Sequence, residues 1–332
     1  MKTKGITYRP TLENVKAAAN LLKGIAAVTP LLKNETCSAK YNAKIYFKRE
    51  DLQVVRSYKI RGAYNKIVNL TNLQLKNGIV CASAGNHAQG VAYSCKKLGV
   101  KGTIFVPEIT PLQKLERIIW FGGKNIELIL HGSTFDDTNI KAINYAKQKN
   151  KSYIPPFNDK KIIEGQATIA LELLEQSEKP IDYLFIPVGG GGLAAGISEI
   201  FKILSPTTKL IGVEPAGAPS MTASFKEKKV ISLKNVNKFV DGASVKKVGD
   251  LNYEICKNNL DKMTTVKEKT ICKCIIELYN KDAIVAEPAG ALSISVLEQY
   301  RNEIKDKNVI CILSGSNNDI NRIEEINTLA NN

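Results

Sequence analysis

The sequence predicts an α/β protein of two open parallel-sheet lobes with helices on both faces. Two observations carry this. Short apolar runs alternate with stretches of helical length along most of the chain, as expected for strands joined by crossover helices. Near the middle, Tyr153-Ile154-Pro155-Pro156-Phe157 interrupts the series, because consecutive prolines block both helix and interior strand. The composition is compatible with this: 332 residues, 44% hydrophobic and 24% charged, is an ordinary globular balance that excludes disordered and collagen-like chains. A chain of this size buries roughly three quarters of its unfolded surface, enough for a pocket that excludes water.

In chain order, residues 45–48, 79–82, 103–106 and 126–130 read as short buried strands, and 183–188, 210–213 and 309–313 continue the series. Helical patterns cover 62–70, 87–98, 112–121, 135–148, 163–176, 193–204, 268–280 and 291–300. A small mobile lobe is expected over 56–152, inserted into a larger cofactor-binding lobe formed by 1–55 and 153–332. A cleft between two such lobes is a common ligand site.

The formal charge of +15 raises the question of a nucleic-acid or membrane partner. The basic residues are scattered, with Lys226, Lys228 and Lys229 among the densest groups, and they are not interleaved with aromatics. A solvated surface is the expectation, with no nucleic acid and no membrane partner. No apolar stretch approaches the ~18 residues of a membrane span, and Asn20 and Lys23 interrupt the only candidate signal segment. Seven cysteines without framework spacing suit a reducing compartment, so a cytoplasmic location is expected. With only His87 and His131 beside Cys272 and Cys274, no zinc-type ligand set appears, and no metal is expected.

The chemistry gathers at turns. Residues 183–188 empty into Gly189-Gly190-Gly191-Gly192, and a helix follows from Leu193. Glycine lets a ligand approach the backbone closely, and free amides at a helix start attract a phosphate. On this segment alone a dinucleotide site competes: Gly189, Gly191 and Ala194 fit the loose spacing, and Glu214 stands about twenty residues on, where a ribose-binding acid would stand. Lys59 lies at an expected helix start, with Ser57 as its candidate cap. The helix dipole and burial both disfavour its charged form, and a neutral lysine amine is what a Schiff base requires. Ser83-Ala84-Gly85-Asn86-His87 and Ser314-Gly315-Ser316-Asn317 are two further small-residue turns after strands, where open α/β sheets bind ligands.

These motifs, together with Lys48-Arg49-Glu50-Asp51 and Glu287-Pro288-Ala289-Gly290-Ala291, resemble pyridoxal-phosphate enzymes of the tryptophan-synthase-β type, and among them threonine dehydratases (threonine ammonia-lyases). The resemblance runs from about Thr11 to Asn317. It implies fold type II with the cofactor in the cleft between the lobes, an amino-acid substrate and a homo-oligomer, dimer or tetramer. It also implies that Lys59 is the Schiff-base lysine and catalytic base, and that Gly189, Gly190, Gly191, Gly192 and Leu193 cradle the phosphate. Asn86 would bond the ring hydroxyl and Ser314 would face the pyridine nitrogen. Ser83, Ala84, Gly85, Asn86 and His87 would grip the substrate carboxylate. Tyr58 stands where phenylalanine is usual, and Ser316 where glycine or alanine is commoner.

The implied reaction is deaminating dehydration of L-threonine to 2-oxobutanoate and ammonia, with L-serine to pyruvate more weakly, as the first step of isoleucine biosynthesis. Biosynthetic relatives append an isoleucine-sensing module, and this sequence stops about fifteen residues after Asn317, so insensitivity to isoleucine is expected. Serine racemases share the fold and nearly the same motifs. They carry a serine as second acid/base where Ala84 stands here, and the animal type holds a divalent cation with an acid a few residues after the Glu-Pro step. Here Glu214-Pro215 is followed by Ala216, Gly217, Ala218, Pro219 and Ser220, so elimination is expected over racemisation. An NAD-binding dehydrogenase is the remaining alternative.

Overall fold

The computed structural model describes residues 8–332. Among the described residues ten strands form two sheets: β1 (Leu31–Lys33), β2 (Lys44–Arg49), β3 (Ile79–Ala82), β4 (Gly102–Val106), β5 (Ile126–Leu130), β6 (Ser152–Tyr153), β7 (Tyr183–Pro187), β8 (Lys209–Pro215), β9 (Lys262–Val266) and β10 (Asn308–Leu313). The six-stranded sheet runs β1-β2-β10-β7-β8-β9 and the four-stranded sheet β5-β4-β3-β6. Every pairing is parallel except β1 on β2.

All seven expected strands form. The three unanticipated ones lack an apolar run: β1 is Leu-Leu-Lys, β6 has two residues, and β9 is the half-buried edge Lys-Met-Thr-Thr-Val. The helix expected from residue 62 starts earlier, at Lys59. The one expected over 291–300 is instead Pro288–Ser295 followed by a short 3₁₀ turn, Leu297–Tyr300.

Both faces of the large sheet are covered, as parallel strands require. Side chains alternate by strand periodicity. Phe185, Val213, Cys311 and Leu313 pack on one face with Ile271, Ile275, Leu292 and Ala291. Leu184, Ile186, Ile310 and Ile312 pack on the other with Ile163, Ala170, Ile197 and Ile200. The small sheet is likewise split, Ile79, Cys81 and Ile104 facing Ile60, Ile67 and Val91, and Val80, Ala82 and Phe105 facing Ala142 and Ala146.

Helix Lys59–Val68 lies directly on helix Lys160–Gln176. A Cβ on Gly165 would sit 2.6 Å from the Arg61 carbonyl oxygen, so only glycine permits this approach. Charge then locks the crossing. The buried Arg61 guanidinium donates to both oxygens of Glu50, at the end of β2, from Nε (2.9 Å) and Nη2 (2.7 Å). It also spans both oxygens of Glu172 on the long helix, from Nη1 (2.5 Å) and Nη2 (2.9 Å). Burial alone would push the Glu50 carboxyl up, but Arg61 holds it below its ordinary value. Lys48 completes the cluster, donating to Glu172 (2.6 Å) and the Thr29 carbonyl (2.6 Å).

Breaking such a buried network by removing one partner leaves carboxylates uncompensated. Arg61→Ala should therefore lower the unfolding free energy of the cofactor-free protein by about 3–5 kcal/mol, measured by urea denaturation. A loss of under about 1 kcal/mol, the scale of a surface pair, would show the cluster to be energetically idle.

Candidate active site

Three strand ends and one helix start converge on a cavity of about 660 Å³. Its lining includes Lys59, Ser83, Ala84, Gly85, Asn86, His87, Gly189, Gly190, Gly191, Gly192, Leu193 and Ser314, so every residue expected to hold cofactor or substrate reaches one space.

Lys59 is the first residue of its helix. The expected cap does not form: Tyr58 is the residue before the helix and makes no capping bond, while the Ser57 hydroxyl is buried without a partner. A free helix start leaves its positive end bare. Lys59 Nζ donates to the Pro156 carbonyl (3.0 Å). Burial pushes the amine down to about 8, opposed only in part by the negative charge of Glu287. Roughly a tenth of the amine is then neutral at pH 7, against well under a thousandth for an ordinary lysine.

Across the cavity, Gly191 takes a left-handed backbone (φ +89°) and opens helix Gly192–Leu204 without a side-chain cap. Among the described residues, no protein group accepts from the N–H groups of Gly190, Gly191, Gly192 and Leu193. A Cβ on Gly190 would fall 2.2 Å from the Phe157 ring, and one on Gly191 would fall 2.7 Å from the Met221 methyl. The run is thus packed from behind and open in front, which suits a phosphate. Asn252 steadies it, donating from Nδ2 to the Gly190 carbonyl (2.7 Å).

The turn after β3 opens helix Asn86–Leu98, again without a capping side chain. Asn86 Nδ2 donates to Glu287 Oε1 (2.6 Å), and Asn86 Oδ1 accepts from Asn317 Nδ2 (2.7 Å). The His87 ring is turned away, its Nε2–H donating to the Ile154 carbonyl (3.0 Å). Burial, then the neighbouring Lys59, lowers its pKa to about 3, so the ring is neutral and the backbone amide is what His87 offers to an anion. Ser314, after β10, donates to the Ala289 carbonyl (3.2 Å). Glu287 is buried with it, and burial, then the negative Asp241, pushes its carboxyl up to about 7.

The dinucleotide alternative meets a physical obstacle. Glu214 accepts from Met221 N (2.7 Å), Thr222 N (2.8 Å) and Thr222 Oγ1 (2.7 Å) at the start of helix Ser220–Lys226. Its oxygens are engaged inside the protein and are not offered to a ribose. Sequence reasoning gave no role to Pro156, Phe157, Asn252 or Glu287. The double proline did mark the crossing, and a glutamate directly before a proline-initiated helix was a signal for the last.

Lys59 titrates near 8 in the fold against an ordinary 10.5. Between those values the unfolded chain binds more protons, so this group's contribution makes stability rise with pH. Lys59→Met should therefore be more stable than wild type below pH 8 without cofactor, with an advantage that shrinks as the pH rises toward 10.5. Urea denaturation of both proteins across that range checks this, and a pH-independent difference would contradict it.

The profile of a family described as pyridoxal-phosphate dependent enzymes matches residues 22–315. The chain is 50% identical over 315 residues to the biosynthetic L-threonine dehydratase IlvA of Halalkalibacterium halodurans, covering 95% of this chain and 76% of that one. The processed form of threonine deaminase isoform 2 from Solanum lycopersicum superposes with a TM-score of 0.92 at 38% identity, over 96% of this chain and 87% of that one. Serine racemase from Dictyostelium discoideum gives 0.85 at 33% identity, over 93% and 99%. With this match over most of its length, and a cavity whose glycine cradle and desolvated lysine fit the cofactor, the chain belongs to the family of pyridoxal-phosphate dependent enzymes.

Proposed function

We propose that this chain is a threonine ammonia-lyase, which dehydrates and deaminates L-threonine to 2-oxobutanoate and ammonia and treats L-serine, more weakly, as a source of pyruvate. The observation that carries the reading is the desolvated Lys59 amine in one cavity with the free amides of the glycine run. The similarity to threonine dehydratases and deaminases supports the substrate class, and a place at the first step of isoleucine biosynthesis belongs to the same proposal.

Pyridoxal phosphate, when bound, supplies an electron sink that acidifies the substrate Cα proton. In this reading Lys59 Nζ attaches the cofactor and, once displaced, accepts that proton, a task for which a value near 8 suits it. The amides of Gly190, Gly191, Gly192 and Leu193 hold the phosphate. Asn86 donates to the ring oxygen, and Ser314 faces the ring nitrogen with a neutral hydroxyl that cannot hold a proton there as a carboxylate would. Backbone amides from Ala84 to His87 take the substrate carboxylate, while the Ser83 N–H is engaged by the Phe105 carbonyl (3.0 Å). The β-hydroxyl leaves as water, and hydrolysis of the released enamine yields the oxo acid and ammonia.

A mobile lobe over the cleft, expected over 56–152, belongs to the same proposal and is supported by the four-stranded sheet, with helix Lys59–Val68 held on the large lobe by the Arg61 clamp. A cytoplasmic setting is supported by seven free cysteines. Assembly as a homo-oligomer is supported by the uncovered apolar side chains Tyr279, Val285 and Ile320 beside one groove.

Elimination is favoured over racemisation because Ala84 lines the cavity where racemases carry a proton-bearing serine. The Glu214 carboxylate is also taken up by helix Ser220–Lys226. Chiral chromatography of L-serine incubated with the holoenzyme, beside assays for 2-oxobutanoate from L-threonine, tests this. Keto acid should outpace D-serine; D-serine accumulating faster than pyruvate would overturn the reading.

A further inference from the structure

We propose that Glu287 is a positioning residue that fixes the Asn86 amide so that one N–H points to the cofactor ring, an inference that rests on reading Asn86 as a cofactor contact. An amide side chain offers two N–H donors and one oxygen. Asn317 Nδ2 donates to the Asn86 oxygen (2.7 Å) and is itself anchored on the Val55 carbonyl (2.9 Å). One Asn86 N–H is held by Glu287 Oε1 (2.6 Å). A single N–H is left, on a residue that lines the cavity. A flipped amide would set its oxygen against the Glu287 carboxylate and its nitrogen against the Asn317 donor. Both contacts would be repulsive.

Glu287 is itself held in register with the other end of the cofactor site. Its backbone N–H donates to the Gly315 carbonyl (3.2 Å), next to Ser314. Its carboxylate occupies the space a side chain at 315 would need, since a Cβ there would lie 2.5 Å from Oε1. Among the described residues no cation forms an ion pair with it. Lys59 and Lys114 act on it only through space, and Asp241 repels it. A buried carboxylate without an ion pair is a cost to the fold, so its place beside Asn86 is explained by the site rather than by stability.

Fluorescence titration of the cofactor-free protein with pyridoxal 5′-phosphate, together with the absorption band of the bound form, tests this. The variants are Glu287→Met, Glu287→Gln, Asn86→Ala and the Asn86→Ala/Glu287→Met double. Loss of a hydrogen bond to a charged group predicts roughly 10- to 100-fold weaker binding and a shifted band for Glu287→Met. Glu287→Gln, which keeps an acceptor oxygen, should recover most of the affinity. In the Asn86→Ala background Glu287→Met should cost nothing more, because the two act as one unit. If the Met variant does not fold, Glu287→Ala replaces it in the cycle. Wild-type affinity in Glu287→Met while Asn86→Ala binds weakly would overturn the proposal and leave the Asn86 reading intact. Additive losses in the double variant would also overturn it. Wild-type affinity in Asn86→Ala itself would instead sink the reading on which the proposal rests.

Discussion

The double clamp of Arg61 is the interaction on which the rest of the structure depends. One planar guanidinium satisfies two carboxylates at once, which a lysine could not do. Glu50 comes from the end of a large-sheet strand, Glu172 from the long helix, and Arg61 from the helix that Lys59 begins. Fixing Arg61 therefore fixes Lys59, two residues earlier, relative to the large sheet. The close approach at Gly165 adds the steric half of the same constraint. A reactive lysine must be buried to lose its proton readily, and a buried lysine must be held or it will turn toward water. The clamp and the Pro156 carbonyl do the holding.

The electrostatics of the cavity follow from where helices start. Helices Lys59–Val68, Asn86–Leu98 and Gly192–Leu204 all begin at its wall, each without a capping side chain. Their bare N–H groups and positive dipole ends attract anions, which suits a phosphate and a substrate carboxylate in one pocket. The same field helps weaken the hold of Lys59 on its proton. Glu287 is the counterweight, a single buried carboxyl whose charge falls beside Asn86 and within reach of Lys59.

Much of this was legible in the amino-acid order. Parallel strands buried on both faces must be continuous apolar runs, so residues 79–82 and 309–313 stood out. β1 and β9 did not, because an edge strand can be short or polar. Four successive glycines announced a backbone-lined turn, and the structure shows why: Phe157 and Met221 stand where their side chains would be. The contributions that only folding reveals are long-range. Nothing local to Ser57 says that its hydroxyl will be left unbonded and that Tyr58 will precede the helix. The direction of the His87 ring depends on Ile154, the engagement of Glu214 on helix Ser220–Lys226, and the pairing of Asn86 with Glu287 on residues 201 positions apart.

Lys48 is also buried, but it is held by Glu172; we propose that Lys59, in the cavity, is the lysine that holds pyridoxal phosphate covalently. Borohydride reduction of the holoenzyme, followed by proteolysis and mass spectrometry of the peptides, measures that directly. A stable phosphopyridoxyl adduct on the peptide carrying Lys59 is the result expected. An adduct on a different lysine, or label scattered over surface lysines with Lys59 unmodified, would contradict the account.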